Sequence, residues 1–78
     1  MPISEMKRRV LAYANISDNA IKSSSFDEID DDNIILYFRD FTYHTSWKRL
    51  YDALMRSNIF AGMTPEQVSI WFDMNSCA

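Results

Sequence analysis

The chain changes its hydrophobic period at Ser46. Upstream, Ile34, Leu36 and Phe38 alternate with Ile35, Tyr37 and Arg39, the period of two that marks a strand buried on one face. Downstream, Trp47, Leu50, Tyr51, Leu54 and Met55 recur at helical spacing, with Lys48, Arg49, Asp52 and Arg56 on the far side. A two-residue period cannot line one helix face, and a helical period cannot line one strand face, so a sheet and a helix must share one core. Ser46 stands at the junction as an N-cap candidate for the helix. The segment 41–45, "FTYHT", continues the aromatic and β-branched bias and predicts a further strand, reached through a tight connection at Asp40.

The flanks complete the outline. Residues 20–26, "AIKSSSF", read as a short, weak strand. The opening "PISEMKRRVLAYAN" admits two readings. Either Ser4 caps a helix over about residues 4–14 with Met6, Val10, Tyr13 and Ala14 on one face, or "RRVLAYA" pairs as a strand. The run of good helix formers favours the helix. The central helix should stop near Ser57 and Asn58, and "NIFAGM" should be a loop directing Ile59 and Phe60 into the core. In "TPEQ", Thr64 is a cap, Pro65 fits the first helical position, and Gln67 can return a bond to the cap residue. Val68, Ile70, Trp71, Phe72 and Met74 then surround almost the whole circumference, which places this last helix in the core or in an interface. The expected fold class is α+β: a small antiparallel sheet of two to three strands packed by a central helix, with N-terminal and C-terminal helices, in a single domain over residues 1–78.

A 78-residue chain has room for one core and buries roughly 60% of its unfolded surface. With 47% apolar residues it is too hydrophobic for a disordered chain, and some apolar area is left for a partner. The net charge of −3 conceals a segregation. The acids Asp27, Glu28, Asp30, Asp31, Asp32 and Asp40 crowd the middle, while Lys7, Arg8 and Arg9 make the front basic. Nucleic-acid binders usually carry a clear basic excess, so the overall balance counts against that class. Cys77 is the one cysteine, which excludes an intramolecular disulfide and a cysteine-based metal site and favours a reducing, cytoplasmic setting. No signal-peptide pattern opens the sequence, and no apolar run reaches membrane-spanning length.

Residues 17–62 resemble the KTSC domain family, a small module named for the C-terminal extension of some lysyl-tRNA synthetases. The resemblance runs through Ile21, the pair Phe26-Asp27, the alternating Ile34, Leu36 and Phe38, then Tyr43, the helical Leu50-Tyr51-Asp52-Ala53-Leu54, and Phe60. Thr45 stands where the family pattern has a second tyrosine, no glycine precedes that centre, and no proline opens the helix. The N-terminal segment and "TPEQVSIWFDM" lie outside the pattern. The resemblance implies a small strand-and-helix fold and the RNA-binding role conjectured for the family.

The acidic run "DEIDDD" invites a metal-site reading. A calcium loop of EF-hand type needs alternating oxygen ligands, a glycine at the sharp turn and a distal bidentate glutamate. This run has no glycine, places Ile29 inside, and lacks that glutamate. Residues 30–33 are better read as a polar turn with Asp and Asn bonding the backbone. Asp30, Asp31 and Asp32 remain candidates for steering a basic partner. His44 could join Ser46 and Asp40 only if all three converged, and a strand-surface imidazole is the preferred reading. Cys77 is read as a spare thiol.

No constellation supports an enzyme, a metal or a cofactor. The leading expectation is a non-enzymatic module that binds a protein, with the size and acidity of a phage or mobile-element inhibitor of a host factor. Trp47, Tyr51, Trp71 and Phe72 read mainly as core, with Trp71 and Phe72 also candidate partner anchors. The alternative is an RNA binder that stacks bases on Tyr37 and Tyr43 and holds phosphates with Lys48, Arg49 and Arg56. A third expectation is a homodimer through the C-terminal helix.

Overall fold

The computed structural model describes residues 1–17, 21 and 24–75. Among them are helix α1 (Ile3–Ile16), strands β1 (Ser25–Glu28), β2 (Asn33–Tyr37) and β3 (Thr42–Ser46), and helices α2 (Trp47–Met55) and α3 (Pro65–Asn75). The strands form one antiparallel sheet in the order β1-β2-β3, so the fold is α+β with a small sheet and flanking helices. α1 is a helix, as the propensities favour, and extends beyond residues 4–14 at both ends. Pro2 rather than Ser4 holds its N-cap position, extended at φ −69° and ψ 151°, and makes no side-chain cap bond. β1 begins at Ser25 and runs into the acidic stretch, while Ala20, Lys22 and Ser23 of the expected strand lie outside the described residues.

The register sorts the sheet into two faces. Phe26 and Tyr43 both pair with Leu36, and Thr45 pairs with Ile34, so these side chains share the inner face. Asp27 and His44 pair with Ile35, and Thr42 pairs with Tyr37, which makes the outer face mostly polar. Ile34 and Leu36 are fully buried, as the alternation requires, in a cluster with Val10 of α1 and Trp47 of α2. The Phe26 ring meets Trp47 edge-on, with centroids 5.3 Å apart. The Lys7 ammonium lies over the Trp47 ring, 5.6 Å from its centre, and pairs with Glu28, so one cation meets an aromatic face and a carboxylate together.

A second cluster joins Phe60, Val68 and Phe72, with Tyr13, Leu54 and Trp71 packed against it. Phe60 enters the core as expected, but Ile59 does not and stays exposed. The backbone at 57–61 folds into a tight turn, Phe60 and Ala61 both donating to the Ser57 carbonyl, and only one of two adjacent side chains can face inward from it. At the start of α3 the Thr64 amide donates to Gln67 Oε1 (2.8 Å) and the Gln67 amide donates to Thr64 Oγ1 (3.2 Å), the reciprocal cap its spacing predicts.

β3 runs into α2 without a loop, and the helix start is secured twice. Ser46 Oγ accepts from the Arg49 amide at 3.1 Å. The Asp32 carbonyl accepts from the Trp47 amide and its carboxylate accepts from the Lys48 amide, each at 3.0 Å. The loop between β1 and β2 therefore caps a helix that begins fifteen positions later, with an anion at the positive end of its dipole. Asp32→Ala should cost about 1 kcal/mol, read as a lower urea midpoint at unchanged slope, whereas Asp31→Ala should leave the midpoint in place.

Candidate functional site

The five residues nominated for RNA do not share one surface. Tyr37 lies on the outer sheet face, where its hydroxyl donates to Asp27 Oδ2 at 2.7 Å. That hydrogen bond to a carboxylate raises the phenol's pKa and places negative charge where a phosphate would have to approach. Tyr43 lies on the inner face, beyond the cover of the helices, and is 49% exposed. It shares a groove of about 310 Å³ with Arg49, Asp52, Ala53 and Arg56 of α2. Lys48 is not among the residues that line this groove; it pairs with Asp52 at 3.3 Å and lines a neighbouring hollow beside Asp32 that Arg49 and Asp52 also border. Arg49 and Arg56 make no side-chain hydrogen bond or ion pair among the described residues.

Phe41 extends the Tyr43 surface. It stands two residues before Tyr43, the spacing that keeps side chains on one side of an extended chain. It is 59% exposed and stacks on Phe38 with centroids 4.8 Å apart. The turn carrying both rings is closed by the Phe38 amide donating to the Phe41 carbonyl, and Arg39 and Asp40 lie exposed between them.

The acidic loop is largely occupied with its own folding. Asp30 Oδ1 accepts from the amides of Asp32 (3.0 Å) and Asn33 (2.8 Å), and the Asn33 side chain donates to both carboxylate oxygens. These bonds from Asn33 and Asp32 hold the Asp30 carboxyl below its ordinary range. With Asp32 committed to the helix cap, Asp31 is the exposed member of the three with no bond among the described residues. No group of three or more His, Cys, Asp or Glu among the described residues is arranged to hold a metal ion. His44 is exposed opposite Ile35, Ser46 serves as the cap of α2, and Asp40 lies beyond the other end of β3, so the three do not converge.

Phe72 is fully buried, which removes it from any surface a partner could touch. Trp71 is half-buried, edge-on to both Phe60 and Phe72. The large apolar side chains that α3 leaves exposed are Ile70, 51% exposed, and Met74, 73% exposed. Cys77 lies outside the described residues. Among the described residues no helix is long and apolar enough to cross a membrane.

Arg9, one of the three cations that make the front of the chain basic, is buried. Its Nε donates to Glu5 Oε1, Nη1 to the Tyr51 hydroxyl and Nη2 to Ser69 Oγ, each at 3.1 Å, tying α1 to both other helices. The signal was present: Arg9 is three residues after Met6 and four before Tyr13, on the arc assigned to the core. Glu5 also takes two bonds from Arg8, one of them 2.9 Å, and these first of all lower its pKa from 4.5 to about 2. Because the folded value is depressed, the stabilisation is complete above the unfolded value and is lost as pH falls through about 2. In urea titrations the stability gap between the native chain and Glu5→Gln should shrink steadily from pH 5 to pH 2. A gap that does not change over that range would show the pair to be energetically idle.

Compared with family models, with curated proteins and with solved structures, the chain shows no match.

Proposed function

We propose that the protein is a non-enzymatic binding module that recognises another protein through the surface formed by Phe41, Tyr43, Arg49 and Arg56. The observation that carries this reading is the juxtaposition of an exposed tyrosine with two arginines that have no carboxylate partner among the described residues. Tyrosine and arginine are over-represented among the residues that dominate interface energy, and arginine seeks planar carboxylates on its partner. The exposed Asp30 and Asp31 would bias the approach of a partner with a basic region but add little to the lifetime of the complex. An inhibitor of a host factor, of phage or mobile-element origin and acting in the cytoplasm, fits a module of this size.

The test is affinity capture with the native chain and with the triple variant Tyr43→Ala, Arg49→Ala, Arg56→Ala. A partner retained by the native chain should be lost by the variant at least tenfold, while Asp30→Asn with Asp31→Asn changes mainly the association rate at low salt. A triple variant that holds the same partner undiminished would refute the proposal.

A second reading has its own support, because Tyr43, Arg49 and Arg56 also offer one stacking face and two phosphate donors to single-stranded RNA. It agrees with the resemblance to the KTSC family. Two phosphate contacts give a slope of log affinity on log salt of roughly −1.4. Binding that is absent, or unaffected by salt, removes this reading.

A further inference from the structure

We propose that the groove between α2, the Phe60 turn and α3 binds a small amphipathic monocarboxylate whose head group is held by Arg9. The side chain of Arg9 is only 8% exposed. A guanidinium has five N–H donors, and among the described residues the three bonds to Glu5, Tyr51 and Ser69 leave two unspent, one on each terminal nitrogen. The central carbon of the same group lies over the Phe72 ring, 5.2 Å from its centre.

The anionic support for this buried cation is one-sided. Glu5 reaches it only through Nε and is shared with Arg8, which takes two bonds from the same carboxylate. Asp73 acts on Arg8 as well. The terminal nitrogens meet two neutral hydroxyls. A buried charge whose donors are partly unmatched is an arrangement that a further anion would complete.

Those nitrogens belong to a residue lining a groove of about 330 Å³ whose other walls include Met55, Phe60, Met63, Pro65 and Val68. That volume is at the lower end of the range of roughly 300–1,000 Å³ common for small-molecule sites. Among the described residues no acidic side chain lines it, so an anion would meet no like charge from them. The methionine walls adapt to an aliphatic or aromatic body, and the unspent donors suit the two oxygens of a carboxylate. A phosphate ester or a sugar acid would leave polar groups against these walls without partners. The site uses none of the residues of the Tyr43 surface, so the two proposals stand or fall separately.

The test is a titration of the folded protein, labelled at methionine methyls and arginine Nε, with sodium hexanoate and separately with hexan-1-ol. Hexanoate should produce saturable shifts at Met55, Met63 and Arg9, and the alcohol should bind at least tenfold more weakly. Arg9→Lys should weaken hexanoate binding at least tenfold. Met63→Trp, which fills the groove without touching the arginine, should abolish binding while the circular dichroism spectrum stays native. No saturation below 10 mM, equal affinity for the alcohol, or undiminished binding by folded Met63→Trp would each overturn the proposal.

Discussion

Trp47→Ala is expected to remove a large part of the protein's stability. The ring is fully buried between the sheet and α1, touching Phe26 edge-on and covered by Lys7. Removing an aromatic side chain from such a site costs roughly 3–5 kcal/mol. A chain of this length has about 4–12 kcal/mol in total, so the loss takes a large part of it. Near-ultraviolet circular dichroism should lose part of its aromatic signal, and the urea transition should move to a markedly lower concentration. Trp47→Phe should behave differently. The indole nitrogen is buried with no acceptor among the described residues, and an unsatisfied donor costs about 1–3 kcal/mol. Phenylalanine removes that penalty while giving up part of the packing, so its net cost should be less than half that of alanine. Equal losses for the two variants would mean that the indole nitrogen is satisfied in solution.

Arg9→Met should lower stability by about 2–3 kcal/mol, through the loss of two charge-assisted hydrogen bonds that join the helices. In a domain of this size that corresponds to a fall in melting temperature of roughly 10–20 °C. Glu5 is not stranded by the change, because Arg8 still holds it, and this keeps the loss below that of a broken buried ion pair. Arg8→Met is the informative comparison. Its pair with Glu5 is exposed, and exposed pairs contribute little, so the melting temperature should hardly move. If the two arginines prove interchangeable in a thermal scan, Arg9 does not hold the helices together.

The parts of this fold legible in the sequence are those whose cause is local. The burial of Ile34 and Leu36 follows from the period of one strand, and the Thr64–Gln67 cap from a spacing of three. The cap that Asp32 provides could not be seen, because it depends on the hairpin bringing a loop back to the junction of β3 and α2. Tyr37 and Tyr43 looked like neighbours on one sheet. The register pairs odd-numbered with even-numbered positions across β2 and β3, so the two odd-numbered tyrosines face opposite sides. That parity is set by the length of the turn, which no periodicity reports. Arg9 was missed for a different reason: it was counted only as charge, although its position on α1 placed it on the buried arc. Phe72 and Trp71 show the limit of an all-round apolar helix. The pattern requires burial but does not say which of its faces stays wet, and it is Ile70 and Met74 that do.

The proposed recognition surface lies on the Tyr43 side of the sheet, away from Tyr37. A photoreactive phenylalanine analogue placed at position 43, and separately at position 37, in cells that make the protein, addresses this directly. Position 43 should give one discrete crosslinked protein and position 37 none. Crosslinking from 37 alone, or equally from both, would contradict it.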